Sequence, residues 1–484
     1  MTQHGEENLV FRRSFSMILA FVCAVLPAGN ARAQAPAAQP DLAGLAEEAQ
    51  GWLADLIRIN TTNPPGNELA AAKYVAGILQ KEGIPNEVLE VTPGRGVVVG
   101  RLQAGPLPDP ANALLLDAHL DVVGVDASKW TVDPFAAVVR DGYLYGRGSI
   151  DDKGMLAANL ATIVALKRSA ARLGRDVIFL ASADEEQGGT ASIKFVIEKY
   201  WDKIACAYAI NEGGRVLLKD GKVQYIGIQA SEKVPYNVTV TATGTSGHAS
   251  VPRADNSVVH LAAAIAKLGA YQTPAQPNTI TRRFFEQLAK VEDDEIGKWM
   301  RALEQPERAD LAAKHLSEQS SVWNAMLRDT IAPTMLRAGI RQNVVPSEAT
   351  ANLNIRLLPG HSIDELISQF GKTVNDPQIR FQLAPDSGEN APPSDLDSAL
   401  YKSIERISTQ EFPGAITLPL LGTGATDSAQ LRLHKVQAYG LVPFPLTEAD
   451  DLRMHGDDER ISLDGFRKGV AFLYHIVSDF ASAN

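Results

Sequence analysis

The sequence predicts an α/β protein. A central, mostly parallel sheet is interrupted by a smaller inserted α+β unit of ferredoxin-like type. Two observations carry this reading. First, "ALLLDA" (113–118), "DVIFLASA" (176–183) and "ACAYAI" (205–210) are short, unbroken apolar runs set among helical stretches. Such runs are the mark of strands covered on both faces, as in parallel sheets. Second, the texture changes near residue 232. "YNVTVTAT" sets Val238, Val240 and Ala242 against Asn237, Thr239 and Thr241, and "ATANLNIRLLPG" sets Ala351, Leu353, Ile355 and Leu357 against Asn352, Asn354 and Arg356. Period-two alternation predicts strands with one wet face.

The elements follow in order. "LAGLAEEAQGWLADLIRI" has helical spacing and stops at the turn-rich "NTTNPPGNE"; "NELAAAKYVAGILQKEG" is a second helix closed by Gly83. "GMLAANLATIVALKRSA" is a helix between two of the apolar strands, "SVVHLAAAIAKL" is a helix of the inserted unit, "SIDELISQFGK" is another amphipathic helix, and "LDGFRKGVAFLYHIVSDFA" ends the chain. The expected organisation is a first α/β part at 34–231, an inserted unit at 232–359 with a polar helical insertion at about 275–335, and a second α/β part at 360–484.

At the N-terminus, Arg12 and Arg13 precede "SFSMILAFVCAVLPAG" and then "ARAQA". A basic start, a short apolar run and the small pair Ala31 and Ala33 predict a signal peptide over 1–33, cut after Ala33. The expected destination is periplasmic or secreted, without a membrane anchor after cleavage. Of two cysteines, only Cys206 then remains, so no internal disulfide is expected. The net charge of −11 and a pI near 5.4 argue against a nucleic-acid binder, which would show a basic face.

The chemistry gathers where strands end. "LLLDA" leads into His119 and Asp121, "DVIFLASA" into Glu185 and Glu186, and "ACAYAI" into Glu212; "YGRGSIDDKG" adds Asp151 in a glycine-flanked turn. In open α/β sheets ligands bind beyond the carboxyl ends of the strands. Imidazole plus carboxylates without cysteine suits Zn²⁺ or a similar divalent ion, and two such ions need a bridging carboxylate. Asp121, two residues from His119, is placed to orient its ring. In extended backbone Glu185 and Glu186 would face opposite ways, so they should not share a role.

"DAHLDVV", "GRGSIDDKG", "ADEEQGG", "NEGG", "GHASVP", "NVVP", "NIRLLPG", "GATDS" and "HGDDER" occur in the order seen in the M20 metallopeptidases, which the chain resembles over nearly all of its mature length. "INTTNPPGNE" looks most like the aminoacylase and carboxypeptidase-S branch. The resemblance implies two Zn²⁺ per chain, with Co²⁺ or Mn²⁺ as substitutes. His119 and Glu212 would bind one, Glu186 and His455 the other, and Asp151 would bridge them. Glu185 would be the general base and Asp121 the partner of His119. His248 would reach into the active site of a second subunit, through a homodimer built on the inserted unit. Arg356, Asn343 and the segment Gly424 to Ser428 would contact substrate. A cis peptide at Asp151–Asp152 is also implied. Two positions depart from the family pattern: Asp152 stands where many relatives have Met, and Asn354 replaces a common Asp.

The implied activity is hydrolysis of an amide or peptide bond in a small substrate, as an N-acyl amino-acid deacylase or a carboxypeptidase-like exopeptidase. The rival readings are a dipeptidase or aminopeptidase, and a metal-binding relative without catalysis.

Overall fold

The computed structural model describes residues 40–483, apart from Thr190, Ala191, Asp293, Asp386 and Ser387; the predicted signal peptide lies outside the described residues. A ten-stranded sheet runs through the larger part of the chain. At its centre Val177–Ser182, Leu114–His119, Tyr208–Asn211 and Gln437–Gly440 lie side by side and parallel. Antiparallel strands widen it on both sides: Asn86–Thr92 and Arg95–Leu102 at one edge, Lys222–Glu232 and Arg215–Lys219 towards the other. Ile416–Gly422 adds to Lys222–Glu232 in parallel.

The apolar runs are central because helices cover both faces. Leu114, Leu116 and Ala118 pack with the helices Leu42–Arg58, Lys153–Arg168 and Leu463–Ala481 in one core, and Leu115, Ile178 and Leu180 pack with Ile193–Ile204 in another. Lys153–Arg168 is buried almost end to end, which its small residues allow. The buried Lys153 ammonium donates to the carbonyls of Leu56 and Ile59, each at 2.9 Å, and so caps the first helix. Among the described residues no helix is long and apolar enough to cross a membrane.

The smaller unit is a four-stranded antiparallel sheet ordered Thr330–Ala338, Glu348–Leu357, Val234–Thr243, Ile379–Leu383, with the helices Ser257–Ala270 and Ile363–Val374 against it. This β-α-β-β-α-β order is ferredoxin-like. Val238, Val240, Ala242, Leu353 and Ile355 share its core, as the alternation required. Its end differs from the boundary at 359 drawn from the sequence. Ile379–Leu383 pairs with Val238–Ala242, so the unit extends through 383; its short "IRFQL" alternation is too brief to mark a strand unaided.

The helical insertion also differs in extent and partner. Its helices run from Thr279–Leu288 to Ser321–Leu327, and residues 330–335 already belong to a strand. Thr279–Leu288 packs on the strand Ile416–Gly422 of the large sheet, and Phe284, Phe285 and Leu288 join the larger core. Phe285 is fully buried, edge-on to Phe284 at 5.1 Å and to Trp323 at 6.0 Å. Phe285→Ala is therefore expected to destabilise the protein by about 3–5 kcal/mol in urea unfolding. A loss under about 1 kcal/mol would contradict insertion packing as part of the main core.

Candidate metal centre

Register brings the polar ends of three strands together. His119 pairs across from Ser182, and Tyr208–Asn211 flanks Leu114–His119 on its other side. The residues that follow, Glu185, Glu186 and Glu212, therefore emerge at one edge beside His119. His455 comes from the far end of the chain with a left-handed backbone, φ 60°.

Asp151 sits between two half-sites. Its Oδ1 is 2.9 Å from His119 Nε2, which lies 3.8 Å from Glu212 Oε1. Its Oδ2 is 2.9 Å from His455 Nε2, which lies 3.2 Å from Glu186 Oε1. Ligand atoms of His119, Asp151 and Glu186 lie within 4.8 Å of one another, as do those of His119, Glu185 and Glu212. The peptide Asp151–Asp152 is cis.

The donor set fits divalent cations. Without them, burial and the neighbouring carboxylates push the Glu212 and Glu185 carboxyls well above their usual range. Hydrogen bonds to Asp151 and Glu186 draw His455 up to about 10. Acidic groups outnumber the imidazoles that face them, and the imbalance is one that bound cations relieve.

Asp121 does more than the sequence suggests. His119 Nδ1 lies 3.0 Å from its backbone carbonyl and 3.4 Å from its carboxylate, so the carbonyl is the nearer partner that frees Nε2. The carboxylate instead accepts the backbone N–H groups of Glu185 and Glu186, each at 3.2 Å, and Asn63 Nδ2 at 2.8 Å. Asn63 also reaches Asp184, and Arg95 donates to both Asp184 and Asn63.

Glu185 and Glu186 are not in extended backbone. Asp184, at φ 60°, opens the single 3₁₀ turn Glu185–Gln187. Roughly 120° per residue separates the two side chains in such a turn. One falls with His119 and Glu212, the other with His119 and Asp151.

A cavity of about 1330 Å³ opens onto these residues, lined also by Arg356, Gly424, Asp427 and Glu232. Burial holds the Arg356 guanidinium below its ordinary pKa. Asn343 and His248 are not in its wall. They meet each other on the smaller unit, where His248 pairs with Val344 and the Asn343 carbonyl accepts Ala249 N–H. The His248 ring is exposed and contacts Ser250.

Sequence reasoning missed Glu459. It is wholly buried, accepts Arg147 Nη1 at 2.6 Å, and takes the backbone N–H groups of Gly148, Ile150 and Asp151 at 3.0, 2.8 and 3.1 Å. Its signal lay inside "HGDDER", among acidic residues that look alike.

The fold and the site define a metal-dependent hydrolase. The chain belongs to Peptidase family M20/M25/M40, whose profile matches residues 115–479. It is 30% identical over 378 residues to the N-fatty-acyl-amino acid synthase/hydrolase PM20D1 of Xenopus tropicalis, covering 76% of this chain and 73% of that one. It is 28% identical over 386 residues to the probable carboxypeptidase S-like 2 of Dictyostelium discoideum, covering 77% and 72%. Among solved structures, the M20 family metallo-carboxypeptidase Sso-CP2 from Sulfolobus solfataricus shares the fold, with a TM-score of 0.68, 20% identity, and coverage of 90% of this chain and 99% of that one.

Glu459→Ala leaves the Arg147 charge buried without its partner. It is expected to cost about 3–5 kcal/mol of stability in denaturant unfolding, and to lower bound metal per chain after dialysis. Wild-type metal content in a folded Glu459→Ala protein would show that the Asp151 turn holds itself.

Proposed function

We propose that this chain is a di-zinc amidohydrolase that splits an N-acyl amino acid, or the C-terminal amide of a small peptide, into a carboxylate and an amine. One observation carries the reading: a single cavity holds two half-sites sharing Asp151, the adjacent Glu185 carboxylate, and the half-buried Arg356 guanidinium. The names of the relatives, N-fatty-acyl-amino acid synthase/hydrolase and carboxypeptidase S-like, agree in an amide beside a free carboxylate.

His119, Glu212 and Asp151 would hold one ion; His455, Glu186 and Asp151 the other. When bound, the ions supply Lewis acidity and lower the pKa of coordinated water. Arg356 holds the substrate carboxylate with its planar fork, which turns the amide towards Glu185. Glu185 removes a proton as water attacks the carbonyl carbon, and returns it to the nitrogen as the C–N bond breaks. The Asp121 carboxylate keeps the Glu185 turn in place through two N–H groups. Gly424 lies in the loop along the substrate.

His248 and Asn343 would serve the site of a second copy, where His248 stabilises the oxyanion. The edge strand Thr330–Ala338, with Met335 and Leu336 exposed, suits pairing with its like across a homodimer. Export after cleavage at Ala33 completes the proposal.

Glu185→Gln is expected to lower kcat by about 10²–10⁴-fold while the protein keeps its metal; normal turnover would remove Glu185 from the role. His455→Ala is expected to lose metal, read by elemental analysis. Mixing His248→Ala with Glu185→Gln subunits is expected to restore part of the activity after exchange, and no restoration would argue against a shared site.

A further inference from the structure

Resting on the amidohydrolase reading, we infer that the cavity has a second, apolar arm built by the helical insertion, and that it takes a long, unbranched acyl chain. The same cavity that exposes Asp151, Glu185 and Glu212 continues past Leu217 and Tyr225 to Phe284, Leu288, Trp323 and Met326. Three separate pieces of chain build this wall. Leu217 and Tyr225 face each other across an antiparallel pair. Phe284 and Leu288 are four apart on the helix Thr279–Leu288, and Trp323 and Met326 three apart on Ser321–Leu327, so each pair shares a helix face.

The arrangement of polarity identifies the occupant. Phe284, Leu288 and Met326 are buried and Leu217, Tyr225 and Trp323 half-buried; of the polar lining residues on this side, Lys219, Asp220 and Gln319 are exposed, while Arg215, Gln224 and Glu292 are half-buried, Arg215 being paired with Asp451. The face built by the insertion is apolar, and the polar groups lie half-buried or exposed around it. A peptide laid along Phe284, Leu288, Trp323 and Met326 would bury N–H and C=O groups against side chains that cannot pair them; an alkyl chain has none to satisfy. At about 1330 Å³ the cavity also exceeds the roughly 300–1,000 Å³ usual for a small ligand. The metal-ligating end and the Arg356 end account for the amide and the carboxylate, and the insertion-lined arm remains for the acyl tail.

The test is a chain-length profile. Zinc-loaded wild type is assayed on N-acetyl-, N-octanoyl- and N-palmitoyl-phenylalanine, alongside Leu217→Trp, which fills the arm from the strand side, and Trp323→Glu, which puts a charge into it from the insertion. In wild type kcat/KM is expected to climb with chain length, by up to about fourfold per methylene while the tail lies in the arm. In each variant that has wild-type far-UV circular dichroism, the palmitoyl-to-acetyl ratio of kcat/KM is expected to fall at least tenfold. Turnover of the acetyl substrate with a flat profile, or an unchanged ratio in both variants, would overturn the acyl arm alone. Failure to cleave any of the three substrates would overturn the amidohydrolase reading itself.

Discussion

The centre depends on one carboxylate that touches no proposed ion. Glu459 brings together the chain at 147–151 and the chain at 455–460, and each carries an inward-facing group of the site, Asp151 and His455. A buried carboxylate is costly unless its lone pairs are met. Here they are met by one guanidinium and three backbone N–H groups, all from the turn that it fixes. That mutual satisfaction explains how a glycine-flanked loop can present Asp151 in a set position.

A second buried network supports the opposite wall. Arg95, Asn63, Asp184 and Asp121 link the N-terminal turn to the residues that carry Glu185 and Glu186. Glu68 lies beneath it, 3.6 Å from Arg95, and its burial raises the carboxyl to about 7. The "NTTNPPGNE" turn is thus part of the scaffold of the site, although it contributes nothing to the cavity wall.

How much of this was legible follows from where the partners lie. His119, Glu186 and Glu212 could be read because each directly follows a solid apolar run, and a parallel sheet aligns such ends. The alternation of Val238 and Leu353 exposed the smaller sheet for the same local reason. Glu459 could not be read in this way, since Arg147 is 312 residues away and its neighbours Asp457 and Asp458 have similar side chains. The turn at Glu185 was misjudged because one left-handed residue, Asp184, ends the strand early. The packing of the insertion was hidden because an amphipathic helix shows which face is buried and not against what.

The insertion also changes how the two sheets are tethered. Without it the backbone would pass between them twice, near residues 233 and 388; with it the chain crosses again near 275 and 329. Lys233 Nζ fastens the first crossing to the last of these, donating to the carbonyls of Ala325 and Arg328 and to Thr330 Oγ1 at 3.0, 2.8 and 3.0 Å. Two strands make a hinge; four crossings, two of them bolted together, make a bracket. Because the insertion helices are packed into the larger core, this bracket ties the smaller sheet to the larger one and resists any swing that would part the mouth of the cleft from its apolar wall.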